Sequence, residues 1–126
     1  MKITTRSEAL VGEPMESTHF NGPVTSHPLH VALEPDPVRV SVVHFQPGVR
    51  NHWHRHHGGQ VLHVLDGEGY VQSRGEAPRR IRTGDTASAA AGEEHWHGAG
   101  PDGAMSHVAV SIGDTTWLEA SEFEPI

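Results

Sequence analysis

Gly, Pro and Asp divide this chain into short apolar runs, and that spacing limits its fold more than any other feature. Val38–Phe45 ends at Gln-Pro-Gly, Ser106–Ile112 alternates polar and apolar residues, and Thr115–Leu118 is a candidate last strand. Runs of this length bounded by turn residues are typical of β-strands. Helical periodicity is hard to find before the final ten residues, and Ala87–Ala91 is too short for a stable helix. The pattern predicts an all-β antiparallel sandwich or barrel.

Two turn signals lie in the middle of the chain. Gln60–Leu65 runs into Asp66-Gly67, a dipeptide typical of two-residue hairpin turns. The sequence therefore predicts a hairpin at this point, with Tyr70–Ser73 as the return strand. Arg79–Arg82 leads into Thr83-Gly-Asp85, which predicts a second tight turn.

The chain of 126 residues has room for one domain. We divide it into an N-terminal arm (1–22) that packs on the body or on a partner subunit, a barrel (23–120) and a C-terminal tail (121–126). The first residues lack an apolar run of signal-peptide length, and no stretch is long enough to span a bilayer. We therefore expect a cytoplasmic protein with no membrane partner.

Charge and cysteine content exclude several classes of function. The formal net charge of −7 argues against binding to nucleic acid or to an anionic membrane. The absence of cysteine rules out disulfides, iron–sulfur clusters and thiolate-bound zinc.

Histidine is the residue that carries candidate chemistry. The chain has twelve, and six fall in two clusters, His52–His57 and His95–His97. Neutral imidazole is the commonest protein ligand for transition metals, and alternate residues on a strand point to the same face. His54 and His56 would therefore point at one ion together, with His95 arriving from elsewhere in the fold. The alternative is a surface histidine tract that binds metal adventitiously.

The spacing of these residues resembles a known family. The chain reads Gly48-x5-His54-x-His56-x3-Gln60-x6-Gly67, followed by Gly84-Asp85 and, further on, Gly92-Glu-Glu-His95. This order resembles the two motifs of the cupins. The resemblance implies a double-stranded β-helix, or jelly-roll, barrel in a single domain. It also implies a homodimer and a metal held by His54, His56, Gln60 and His95.

Gln60 stands where most cupins have glutamate, and this changes the expected chemistry. Three neutral imidazoles and an amide oxygen leave the 2+ charge of a metal uncompensated, so the ion would be a stronger Lewis acid. An amide is also a weaker ligand than a carboxylate. Nitrogen and oxygen ligands suit Mn²⁺, Fe²⁺, Co²⁺, Ni²⁺ and Zn²⁺ alike, and the resemblance favours manganese.

Two further histidines are candidates for proton transfer. His97 shares a strand face with His95, so we expect it in the cavity as a base, a fifth ligand or a wall residue. His107 has the same parity as Ala109 and Ser111, whose small side chains leave room for a substrate, while Val108, Val110 and Ile112 would form the opposite, packed face. The alternative for His107 is a structural role.

The string from Trp53 to Gln60, together with Glu94–Gly98, resembles a subgroup of small bacterial single-domain cupins. Some members are manganese-dependent hydroxynitrile lyases, and others carry out oxidative C–C cleavage. The resemblance implies a small-molecule substrate whose hydroxyl or cyanide binds at open metal positions while His107 or His97 moves the proton. Three hypotheses remain: a lyase, an O₂-dependent oxygenase, and a binding or sensing module without turnover.

Overall fold

The computed structural model describes residues 1–123, so the last three residues of the predicted C-terminal tail, 124–126, lie outside the described residues. It contains one short helix, one 3₁₀ turn (Ser17–His19) and ten strands. The helix is α1 (Arg6–Ala9), and the strands are β1 (Glu13–Pro14), β2 (Val24–Ala32), β3 (Val38–Phe45), β4 (His54–His56), β5 (Gln60–Ser73), β6 (Arg79–Arg82), β7 (Thr86–Ala89), β8 (His95–Ala99), β9 (Met105–Ile112) and β10 (Thr115–Trp117).

The strands form two antiparallel sheets that share β5. One sheet has the order β1-β2-β3-β9-β5-β7, and the other has the order β6-β5-β8-β4-β10. Because one long strand belongs to both, the sheet curls over and its two halves enclose a common interior. The all-β prediction is confirmed.

Asp66-Gly67 does not form the predicted hairpin. β5 continues through both residues, and its pairing with β9 shifts register between Val64 and Asp66. Gly67 has a φ of +86°, and a Cβ there would collide with the backbone carbonyl of Ala104. The dipeptide therefore marks a β-bulge where the strand bends from one sheet into the other, and glycine is required for the same reason as in a turn. The actual hairpin, between β5 and β6, follows Ser73.

The core lies between the two sheets and consists of alternate residues of each strand. Phe45, Val64 and Met105 are almost fully buried, and Ile81 and Ala99 close the core from the other sheet. Burial of one face of each strand is what the period-two pattern predicts. The same inward parity, continued along the strands, carries the histidines into the interior.

Residues 1–22 pack on the body of the same chain. β1 pairs with β2, and Phe20 is buried in the core. His44 contacts the Ala9 carbonyl through Nε2 at 3.0 Å. No helix within residues 1–123 is long and apolar enough to cross a membrane.

Candidate metal centre

Three short elements bring the histidine clusters together. β4 pairs with β8 so that His54 lies directly opposite His95, and His56 follows on the same face of β4. Gly59, with a φ of +92°, turns the chain so that Gln60 begins β5 beside them. The ring centroids are 5.0 Å apart for His54 and His56, 4.4 Å for His54 and His95, and 5.6 Å for His56 and His95. The four predicted ligands are therefore neighbours in space.

Each of the three imidazoles is held by its outer nitrogen. Nδ1 of His54 contacts the His52 carbonyl at 2.8 Å, and Nδ1 of His95 contacts the Glu93 carbonyl at 2.9 Å. Since a carbonyl only accepts, both nitrogens carry the proton. Nδ1 of His56 lies 2.9 Å from the hydroxyl of Thr115. In His54 and His95 the carbonyl contact leaves the Nε2 lone pair for a metal, and in His56 the Thr115 hydroxyl permits the same tautomer because it can accept as well as donate.

The inner atoms fit a bound cation. Nε2 of His56 is buried and has no hydrogen-bond partner among the described residues. Nε2 of His95 lies 2.9 Å from Oε1 of Gln60, whose amide nitrogen donates to the Ser111 hydroxyl. Two lone pairs therefore face each other at hydrogen-bond distance, an arrangement that a positive ion stabilises. The donor set of three imidazoles and an amide oxygen suits a divalent transition metal.

His97 lies close enough to compete with His56 for the third ligand position. The ligand nitrogens of His54, His95 and His97 lie within 4.8 Å of one another, and the His54 and His97 ring centroids are 5.3 Å apart. Distance alone does not choose between the two, but hydrogen bonding does. Both ring nitrogens of His97 have partners, whereas Nε2 of His56 has none. This difference favours His56 as the ligand.

A buried chain of three side chains orients His97 and His107. The side-chain oxygen Oδ1 of Asn51 accepts from the His97 backbone N–H at 2.9 Å. Its side-chain nitrogen Nδ2 must therefore donate to Nε2 of His97, which is 3.1 Å away. The single proton of neutral His97 then sits on Nδ1 and is donated to Nε2 of His107 at 3.0 Å. All three residues are buried, with His107 completely inaccessible. Asn51 thereby sets the tautomer of the pair.

Burial keeps this group of histidines neutral. It lowers the pKa of His56 and of His107 to about 4, and it lowers the pKa of His54 and His97 well below the usual range. Burial is the largest cause in each case because a charged ring loses its hydration; the neighbouring imidazoles add to the shift. Neutral imidazole is the form that binds metal and accepts a proton.

These side chains line a cavity of about 180 Å³, which is small compared with a drug-sized ligand pocket. His107 is one of the lining residues, and on its sheet it lies between Val43 of β3 and Val64 of β5. Its lining combines polar and apolar side chains, so it suits a small organic molecule that has both polar groups and an apolar part. The apolar lining is Met15, Phe20, Val43, Phe45, Ala109 and Trp117.

A larger cavity of about 420 Å³ lies on the other side of Gln60 and His95. Its remaining lining comes mainly from β5, β6 and β7, and it holds none of His54, His56, His97 and His107. His56, whose Nε2 has no partner among the described residues, therefore lines the smaller cavity and not the larger one.

The predictions for the strands that carry His97 and His107 were right about the histidines and wrong about the opposite face of β9. His97 and His107 do face the interior, as the parity predicted. The expectation of a packed opposite face on β9 was wrong, because Val108 and Val110 are only half-buried while the His107 face is the buried one. Trp96 has the opposite parity to His95 and His97 on β8 and donates to the side chain of Gln72 at 2.7 Å, so its role is in packing.

Sequence reasoning missed three groups that matter to the site. Asn51 is one of the five unspecified positions between Gly48 and His54, and no pattern distinguishes it from a loop residue, since its role depends on contact with β8. Thr115 lies 59 positions from His56, which it orients. Arg39 was also overlooked, although its parity with Ser41 and Val43 places it on the cavity face.

Comparison with known proteins agrees with this architecture. Residues 41–111 match the Cupin domain family. An (R)-mandelonitrile lyase from Granulicella tundricola is 44% identical over 91 residues, which cover 72% of this chain and 70% of that one. A solved cupin-like protein from Thermotoga maritima is 37% identical, with a TM-score of 0.80 over 86% of both chains. The chain belongs to the cupin family.

A further solved structure shares the fold. A putative acetylacetone dioxygenase from Methylibium petroleiphilum has a TM-score of 0.76 at 15% identity, over 98% of this chain and 87% of that one. The jelly-roll prediction is confirmed. A cluster of three histidines in a cupin indicates a divalent-metal site.

We predict that Gln60→Glu retains metal more tightly, with about tenfold slower loss to a chelator, because a carboxylate adds charge to the ligand set. The same charge weakens the ion as a Lewis acid, so any activity that depends on it should fall. Metal content after timed dialysis against EDTA measures the first effect. Gln72→Glu, on the same strand but bonded to Trp96, is the matched control. Unchanged metal retention in Gln60→Glu would remove Gln60 from the ligand set.

The metal-free protein should lose stability as the pH falls from about 7 to about 4. His56 and His107 titrate near 4 when folded and near 6.5 when unfolded, so the unfolded chain binds more protons in this window. Each contributes a loss on the order of 3 kcal/mol. Urea unfolding of chelator-treated protein at several pH values measures the slope, which should be shallower in His107→Phe. A free energy of unfolding that does not change over this range would contradict the burial argument.

Proposed function

We propose that this protein is a metal-dependent lyase that cleaves and forms the C–C bond of a small hydroxynitrile. The divalent ion is held by His54, His56, Gln60 and His95, and the proton is moved by His107. The ion is manganese in this proposal. The support is the cluster of His54, His56, His95 and Gln60 beside a small cavity that His54, His56 and Gln60 line together with the buried, neutral His107. The 44% identity to an (R)-mandelonitrile lyase favours hydroxynitrile chemistry over others that such a site permits.

Residues of the chain itself accept the proton of the substrate hydroxyl and return it. Nε2 of His107 is its accepting nitrogen, because Asn51 fixes the proton of His97 on Nδ1 and His97 donates to that atom. In the productive complex the substrate hydroxyl replaces His97 as the hydrogen-bond donor to His107 Nε2, and it delivers its proton to that atom as the C–C bond breaks. The hydroxyl carbon becomes a carbonyl, the bond's electron pair leaves with cyanide, and cyanide takes the proton from His107. A bound divalent ion supplies Lewis acidity that stabilises negative charge on the substrate oxygen.

The cavity supports such a reaction in two further ways. Its volume of about 180 Å³ admits a small carbonyl compound. The apolar wall formed by Phe45, Val43 and Ala109 receives the part of the substrate that does not react. The buried His97–His107 pair has no carboxylate in the cavity lining of the described residues, so a protonated His107 returns its proton readily.

Release of benzaldehyde from racemic mandelonitrile, measured with and without oxygen, tests the proposal. Metal-loaded protein should give the same rate under nitrogen as in air, because a lyase consumes no O₂. Activity that disappears under nitrogen would show the oxygenase. A ligand-dependent rise in melting temperature without turnover would show the binding module. Either of these results overturns the lyase.

We also propose a homodimer. Val61 and Leu65 are exposed on the outer face of the larger sheet, and the half-buried Val108 and Val110 lie on the same face. Exposed neighbouring apolar residues are typical of an interaction surface. The molar mass from light scattering tests this, and a monomer at micromolar concentration would contradict it.

A further inference from the structure

One arginine is aligned, across the strands of one sheet, with a proposed metal ligand. Arg39 of β3 is paired with Ser111 of β9, and Ser111 is paired with Gln60 of β5. Residues directly opposite one another share a sheet face, so Arg39 faces the same side as Gln60. Two strand spacings separate their Cα atoms by roughly 10 Å. Arg39 lines the cavity of about 180 Å³ and is itself exposed, which places it at the mouth.

Among the described residues, the charged side chains that line this cavity have one sign, which is positive. Arg39 is its one Lys or Arg, and among the described residues no Asp or Glu lines it, in a protein whose net charge is −7. No described carboxylate forms an ion pair with Arg39 within 4.0 Å. By contrast, Arg55, Arg74 and Arg80 outside the cavity each contact a glutamate. Glu13 of β1 is paired with Ser26, which lines the cavity, and therefore lies on the same sheet face. Glu13 itself does not line the cavity.

We infer that the substrate carries a carboxylate, which Arg39 binds at the mouth while the reacting hydroxyl lies at the histidine end. A guanidinium donates two parallel hydrogen bonds to a carboxylate, and the hydroxyls of Ser26 and Ser41 lie on the same wall. Arg39 and Gln60 lie two strands apart on one sheet face, which suits a molecule with one ring or a short chain between its two polar ends. The reaction at the hydroxyl end rests on the proposed function, whereas the anion site at the mouth does not.

Direct binding tests the anion site without turnover. The probes are 4-(hydroxymethyl)benzoate and its neutral amide, 4-(hydroxymethyl)benzamide, titrated into metal-loaded protein by calorimetry. Wild-type protein should bind the acid about tenfold more tightly than the amide, and Arg39→Gln should abolish that preference. Arg55→Gln, which alters an outward-facing arginine on β4, is the matched control and should keep the preference.

Chelator-treated protein distinguishes carboxylate binding by Arg39 from carboxylate binding by the metal ion. A carboxylate held by Arg39 should keep its preference over the amide after the metal is removed, although both probes bind more weakly. Equal binding of the two probes by the wild type would overturn the inference. A preference that survives in Arg39→Gln but vanishes with the metal would assign the carboxylate to the ion instead, and would also overturn it.

Failure of this inference is distinguishable from failure of the lyase. Turnover of mandelonitrile with no preference for acids would leave the lyase intact and remove the anion site. A preference for acids that depends on Arg39, with no hydroxynitrile turnover, would leave the anion site intact and remove the lyase.

Discussion

Replacing His107 with alanine is expected to lower kcat for mandelonitrile cleavage by about two to four orders of magnitude, the usual contribution of a positioned acid–base group. Metal content should stay near that of the wild type, because His107 contacts His97 rather than the three inward-facing nitrogens. Benzaldehyde release and elemental analysis of the same samples provide the two measurements. Loss of activity without loss of metal separates proton transfer from metal binding.

The control for this experiment must account for a fully buried side chain. His107→Gln keeps most of the side-chain volume, so it guards against the cavity that alanine leaves between Val43 and Val64. His63→Ala, an exposed histidine on β5, should change neither activity nor metal content. A kcat for His107→Gln within a few-fold of the wild type would rule out His107 as the proton-transfer residue.

Removal of one metal ligand should have the other large effect. His54→Ala or His95→Ala is expected to weaken metal binding by more than about 100-fold, which exceeds the usual cost of losing an outer contact to a ligand. Most of the barrel should remain folded, because packing between its sheets, and not the ion, holds it together. Metal content by elemental analysis and circular dichroism check both parts. His57→Ala, an exposed neighbour of the cluster, is the control.

The same measurement decides between His56 and His97 as the third imidazole ligand. His56→Ala should empty the site, since its buried Nε2 has no other partner. His97→Ala should retain metal and lose activity, because it removes the group that donates to His107. The reverse result, with metal kept in His56→Ala and lost in His97→Ala, would assign the ligand set to His54, His95 and His97.

Local pattern accounts for much of this fold because the side-chain period of a strand is two. The alternation in Val38–Phe45 and in the β9 segment predicted both strands, and parity alone placed His97 and His107 in the interior. The same local reasoning failed at Asp66-Gly67. A glycine with positive φ is needed equally in a hairpin and in a bulge, and only the partner strands decide which one forms.

Residue type, spacing and strand parity are local properties of the chain, and from them came the all-β class, the histidine clusters and the four proposed ligands. The tertiary structure decided what each nitrogen is free to do. The side chain of Asn51 contacts that of His97, which is 46 positions away in the sequence, and the side chain of Thr115 contacts that of His56, which is 59 positions away. Arg39 lies on the same sheet face as Gln60 because both residues are aligned with Ser111 of β9. Hydrogen-bond partners so distant in sequence are chosen by how the sheets close, so they carry no short-range signal. In the function we propose, that closure makes one imidazole a ligand and its neighbour part of a proton-transfer pair.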